Sequence, residues 1–402
     1  MLLHPLVFLA NAKWFSMQMK YSAFFGIAAK VVTGVFILKI LLQKQVPLRW
    51  ASASLIFYVI FIFYGFNQTV EYTWSLVTYE SNFFYLLGIL FLLFIDKALI
   101  SSAEKQAISY LIVVSLGLLF LVLMATEMKL LISASILIML PMIVLEKEHR
   151  RRIVILIAIQ IALLVIYKIF LQTIGEDHGY EATTNNIGEV MSDLPANMLR
   201  IGYGLAAGVL NDNAFHYPTT LLTCFAVLFL VLVTYALFSY YKEKMWRESF
   251  VPIVLVIFML LSMVGAIVFR SGEVATGWPL SIPRYFVYYH LGWVGIVWIF
   301  FIKFRSASSK LASFLLIVLP VIGMLVLSSS ATLAWNNRVY FAKSNERTEI
   351  ALCRYARNEA PENEISQGVR GSGFTREGVE ILVSHKLNIF STRDIATPCG
   401  LE

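Results

Sequence analysis

Apolar residues run along this chain in long blocks rather than in the one-sided stripes of water-soluble helices. Ten blocks read as helices that cross a bilayer, at 21–42, 51–66, 82–95, 107–124, 129–145, 153–172, 218–239, 250–269, 286–303 and 311–333, and the longest exceed the ~18 residues that mark a span. The segments between them alternate in charge. Lys44 and Arg49, Lys97 and Lys105, Lys147 with Arg150, Arg151 and Arg152, Lys242 with Lys244 and Arg247, and Lys303 with Arg305 and Lys310 fall on one side. Positive loops stay in the cytoplasm, so the basic cluster at 146–152 reads as a topology anchor. The outer segments are then 67–81, 173–217 and 270–285.

This orientation places residues 1–20 and the tail 334–402 outside the cytoplasm. A translocated N-terminus with no span before it is unusual, so an upstream helix and its outer loop are expected to be missing from this reading frame. The alternative is a partial span at 6–15. Within the long outer segment, the run at 194–210 is too short to cross and return, and Gly202, Gly204 and Gly208 allow close packing. A re-entrant or interfacial helix fits it. Asn211, Asp212 and Asn213 after it are first of all a turn signal.

The expected architecture is thus an all-α polytopic membrane domain, 1–333, and a small extracytoplasmic α/β tail, 334–402. In the tail Thr375 caps a short helix reaching residue 386, and 387–390 reads as a strand. Cys353 and Cys399 lie in this outer tail and Cys224 within a span. In an oxidising compartment the first two are a candidate disulfide.

Composition agrees with a membrane location. The chain has 402 residues, 59% apolar and 14% charged, against about a quarter charged in soluble proteins, and its mean hydropathy is +0.75. The net charge of +7 is gathered in the inner loops, which removes nucleic acid as a partner. No metal or cofactor is expected. The ligand-type residues Glu176, Asp177 and His178 are consecutive and do not converge readily on one ion. There is no phosphate-cradling glycine loop and no G-x-S-x-G nucleophile turn.

What remains is a set of arginines and carboxylates at the outer surface. Ser281 and Pro283 signal the start of a helix, which puts Arg284 in its first turn. An arginine there is electrostatically unfavourable unless an anion shares the site. Tyr288 follows one turn on and shares that face; His290 is rotated by about 120° and reads as structural. Arg270 and Arg200 also belong to outer segments, with headgroup contact the plainer role for Arg270. Cations beside an apolar wall suit an isoprenoid tail in lipid with its phosphate at the surface. A nearby carboxylate can act as general base for a sugar hydroxyl. Glu71, Glu80, Glu176 and Asp177 are the candidates, with Glu273 and the weaker Asp212, and the sequence does not choose among them.

Three stretches resemble the membrane-embedded glycosyltransferases of the GT-C class. One is F-N-Q-T-V-E-Y-T-W, with Gln68, Glu71 and Trp74 after an early span. Another is I-P-R-Y-F-V-Y-Y-H-L-G-W, where Arg284 and Tyr285 open a late span. The last is V-E-I-L-V-S-H-K-L-N-I-F in the tail. The resemblance implies a bacterial inner-membrane enzyme that moves a sugar from a polyprenyl-phosphate donor to an envelope glycan. That class places an essential acidic residue in its first outer loop. This chain is expected to begin after that loop, so the role passes to no residue here. Two alternatives stay open: an O-antigen or capsule polymerase or ligase, and a transporter of a lipid-linked sugar. For the latter, Lys30 and Lys39 in one span, with Lys168, are the main polar groups within spans.

Overall fold

Backbone groups in apolar surroundings must find partners within their own segment, and unbroken runs of Leu, Ile, Val, Phe and Ala meet that demand as α-helix. The computed structural model of the chain describes residues 3–16, 19–43, 75–100, 106, 109–110, 113, 117, 128–174, 193–210, 218–269, 283–304, 321, 324, 328, 332, 350, 353–354, 356–357, 380 and 383–386. Among them are nine α-helices, one 3-10 turn and no strand. In chain order these are α1 (Leu3–Phe15), α2 (Met19–Gln43), α3 (Ser75–Ile100), α4 (Met128–Leu145) and α5 (Arg150–Ile174). They are followed by α6 (Leu194–Leu210), α7 (Thr219–Lys242), the 3-10 turn Met245–Arg247, α8 (Val251–Phe269) and α9 (Pro283–Phe304).

Helices α2, α3, α4, α5, α7, α8 and α9 fall where spans were expected. The block at 51–66 lies outside the described residues, and 107–124 and 311–333 are described only at isolated positions. Helix α6 has the bounds expected for the short outer helix. Its Ile201, Gly202, Leu205 and Ala206 are buried while Leu194 and Met198 are exposed, and it packs on α7, α8 and α9. Helix α1 covers the proposed partial span at 6–15.

One expectation needs correction. The outer segment 67–81 is not all loop, because α3 already begins at Ser75. The stretch from Ser75 to Asn82 holds no Gly or Pro to stop a helix running outward from the apolar block. Glu80 is therefore a helical residue. In the tail, the described positions 350, 353–354, 356, 380 and 383–384 are helical and no described residue is a strand, while 387–390 lies outside the described residues.

Helix α8 is the centre of the packing. It touches α3, α4, α6, α7 and α9, and Val251, Ile253, Val254, Leu255, Val256, Phe258, Met259 and Met263 are all buried. A helix so largely buried has no use for a polar face, and its sequence, V-P-I-V-L-V-I-F-M-L-L-S-M-V-G-A-I-V-F, has none. Its closest neighbour is α9, where Gly292 and Gly295 let the two backbones approach. A Cβ on Gly295 would come within 2.5 Å of the Pro252 carbonyl, and one on Gly292 would run into both Cβ and Sδ of Met259.

The outer faces are apolar as well. Among the described residues, Arg150–Ile169 and Thr219–Lys242 are long and apolar enough to cross a bilayer, and α4 and α8 carry shorter apolar runs, Lys129–Leu145 and Val251–Ile267. Val154, Ile155, Ile161, Val165 and Ile166 on α5, and Val227, Leu228, Val231 and Phe238 on α7, are exposed.

Replacing Gly292 by Ala is expected to weaken the fold by about 1–3 kcal/mol, the usual cost of overpacking. The measurement is thermal unfolding of the detergent-purified protein. An unchanged midpoint would mean that α8 and α9 are not in this close contact.

Candidate functional site

The outer end is where the sequence places the chemistry, and α9 supplies its scaffold. Pro283 opens the helix, a position where a missing N–H costs nothing, and Arg284 is its second residue. One turn further, the half-buried Tyr288 is fixed edge-on between Tyr85 of α3, at 6.3 Å between ring centroids, and Phe258 of α8, at 5.6 Å. The face of α9 that carries positions 284 and 288 thus meets the junction of α3 and α8. His290 is buried within the helix packing.

Arg200 is already engaged. Its guanidinium donates to Asn197 Oδ1 at 2.6 Å and stands 3.7 Å from Asp193 Oδ2. Both partners are local, one turn and two turns back along the start of α6. The side chain of Arg284 lies outside the described residues, as do Arg270, Glu71, Glu176 and Asp177 altogether. Glu80 is placed on α3 by its backbone alone. The structure therefore positions Arg200 and Tyr288 on neighbouring helices, each held by its own contacts. Cys353 is disulfide-bonded and Cys224 is a free, exposed thiol; Cys399 lies outside the described residues. No group of three or more His, Cys, Asp or Glu that could hold a metal ion occurs among the described residues.

The opposite end carries a polar network that the sequence reading passed over. Asp96 lies just before the last turn of α3, towards the end of the helix whose dipole disfavours an anion. It reaches across to the start of α8, and its Oδ1 accepts the Phe250 backbone N–H at 2.6 Å, with Ser249 Oγ at 3.5 Å from Oδ2. Tyr240 donates its phenol to the Ser249 carbonyl at 2.9 Å. Glu146, just past α4, accepts from Trp246 Nε1 at 3.0 Å and from Arg247 Nε at 2.8 Å. The hydrogen bond from Arg247 holds the Glu146 carboxyl below its ordinary value, and Glu146 in turn raises the Arg247 guanidinium. On α9, Lys303 donates to Ser239 Oγ at 2.7 Å, pairs with Glu243 at 2.9 Å and lies 4.4 Å from the Tyr235 ring centre.

These contacts pin the link between α7 and α8 to four helices. Lys244 begins the link in the left-handed region, with φ 50°, which an L-residue adopts only at a cost. The signal that could have found the network is an acid in an unfavourable place: Asp96 near a helix C-terminus and Glu146 directly after the apolar helix α4.

No protein-family model, curated protein or solved structure matches this chain.

Changing Asp96 to Ala is expected to lower stability by about 1.5–3 kcal/mol, the range for a hydrogen bond to a charged group, with Asp96→Asn milder. Thermal unfolding of both variants checks this, and equal midpoints for Asp96→Ala and wild type would refute it. The Glu146 carboxyl is lowered from its ordinary 4.5. Its contribution is therefore complete above that value and disappears as pH falls through the lower folded value. Melting scans should show an acid limb below pH ~4.5 that Glu146→Gln shallows; identical limbs would show that the pair does not contribute.

Proposed function

We propose that this chain is a helical protein of a bacterial plasma membrane, with about ten spans, that transfers a sugar from a polyprenyl-phosphate carrier to an envelope glycan at the outer surface. The apolar exposed faces of α5 and α7 support the membrane location. The basic residues gathered beside the Asp96 and Glu146 network support a cytoplasmic placement of that end. The disulfide at Cys353 supports an oxidising compartment for the tail.

The observation that carries the chemistry is the start of α9. It opens Pro283-Arg284 with no acidic residue in its first turn. The positive end of the helix dipole and a guanidinium then share one place, an arrangement suited to a phosphate. One turn on, Tyr288 is half-buried and held edge-on by Tyr85 and Phe258, which are themselves buried within the helix packing and fix the start of α9 in place.

In the reaction a sugar hydroxyl of the acceptor attacks the anomeric carbon. Its proton passes to a carboxylate, for which Glu71, Glu80, Glu176 and Asp177 are the candidates. The bond between anomeric carbon and phosphate oxygen breaks, and the polyprenyl phosphate leaves with the electron pair. Arg284 offsets the charge gained by the leaving group. Arg270 and Arg200 are secondary candidates for the carrier, and Arg200 would first have to leave Asp193 and Asn197.

A second reading, passage of a lipid-linked sugar across the membrane, draws on Lys30. This residue is 2% exposed near the middle of α2, a helix that packs on α3. An ionisable group buried within a span is a common mark of a transport path. A polymerase or ligase would share the outer-face chemistry and differ in product.

Replacing Arg284 by Ala should abolish glycan modification in cells while the protein inserts at wild-type level, with Arg284→Lys retaining part of the activity. Normal modification by Arg284→Ala sinks the transferase reading. A collapsed glycan length ladder in place of a missing side-branch sugar would shift it to a polymerase. Untranslocated lipid-linked sugar accumulating in Lys30→Met would favour transport.

A further inference from the structure

Two fully buried polar side chains on α4 and α5 keep an oxygen without a hydrogen-bond partner. Gln160 of α5 and Ser135 of α4 are both 0% exposed. Gln160 Nε2 donates to the Leu156 carbonyl at 3.2 Å and lies 3.6 Å from Met139 Sδ. The Leu156 carbonyl fixes the orientation of the amide, because a flip would set Oε1 against another acceptor. Oε1 is left as an acceptor with no donor.

Ser135 lies one turn before Met139 on the same face of α4. A serine or threonine inside an apolar helix usually places its hydroxyl on the carbonyl four residues back. Thr33, Ser133, Thr223, Thr234 and Ser262 all do so here. Ser135 does not, and its Oγ has no partner. Each of the two residues stands ten positions from the turn-side end of its helix, about 15 Å along it. The contact of Gln160 with Met139 places Gln160 on the α4–α5 seam within about one helical turn of Ser135.

Unpartnered buried oxygens are rare because their lost hydration is not replaced. The chemistry of the pair restricts what can satisfy it. A phosphate or carboxylate offers no proton to Oε1. A metal cation would face two neutral side-chain oxygens in an apolar seam, too little to replace its hydration. A neutral hydroxyl can both donate and accept. We propose that Ser135 and Gln160 form an internal site for a water molecule, which donates to Gln160 Oε1, exchanges a hydrogen bond with Ser135 Oγ and joins α4 to α5.

Met139 provides the readout, since its sulfur borders the site while its side chain is 0% exposed. X-ray radiolysis of the protein in heavy-oxygen water makes hydroxyl radicals from bound water, and these oxidise the nearest thioether to a labelled sulfoxide. Met139 should take up label, whereas Met259 and Met263, equally buried, should not. The label should fall several-fold in Ser135→Ala/Gln160→Leu. If that double variant fails to fold, Ser135→Ala alone trims a single atom and must still lower the label. Met139 as unreactive as Met259 in wild type overturns the proposal, as does a label that survives the substitutions. A double variant that melts higher while wild-type Met139 stays unlabelled would mark two orphaned oxygens and no site.

Discussion

The packing of this protein depends on how the buried start of α8 is satisfied. A helix in the middle of a bundle cannot leave its first N–H groups to water, and the residues of α8 itself offer no polar side chain near that end. Asp96 supplies the acceptor from another helix. Because it projects from near the C-terminal end of α3, one carboxylate meets two needs. It leaves the negative end of one dipole and approaches the positive end of another. Since α8 in turn touches α3, α4, α6, α7 and α9, the position of this single cap fixes the level at which five helices pack.

The other contacts at that end restrain the same link. Glu146 holds Trp246 and Arg247, Tyr240 holds the Ser249 carbonyl, and Lys303 ties α9 to Glu243. Burial divides these interactions by strength. Glu146 is nearly enclosed, while Arg247 is 61% exposed, so the salt bridge itself is partly screened and the neutral hydrogen bond from Trp246 is the better-protected half. An end bound this densely is suited to rigidity.

Much of the helical layout was legible in the sequence, because long apolar blocks and their charged ends are local properties. The start of α9 followed from Pro283, and the bounds of α6 from a glycine-bearing run bordered by polar residues. The outer end of α3 was misjudged for a physical reason. Helix continues past the apolar block when nothing stops it, and the residues from Ser75 to Asn82 contain no breaker. The Asp96 cap was not legible, since its partner lies 154 positions away and no local rule names it. The same holds for Gln160 and Met139, which meet only because α4 and α5 fold back on each other. Arg200 illustrates the opposite case. It was read as a candidate for a phosphate, and Asp193 and Asn197, which engage it here, were near enough in sequence to be recognised as its partners.

Asp96 and Arg284 are instances of one rule, and comparing them bears on function. Each carries a charge at the helix end whose dipole repels it. For Asp96 the compensation is intramolecular: a backbone N–H of a different helix end, of opposite sign, reached through the fold. Arg284 is the second residue of a helix whose first turn holds no acidic residue. A carboxylate from an outer segment and a phosphate from a lipid carrier both meet the electrostatic demand. They differ in what else they need. A carboxylate requires only the charge, whereas a polyprenyl phosphate also requires an apolar surface leading away from it. Tyr85 and Phe258 are buried and Tyr288 half-buried, so the rings one turn below belong to the packing of α3, α8 and α9 and favour neither.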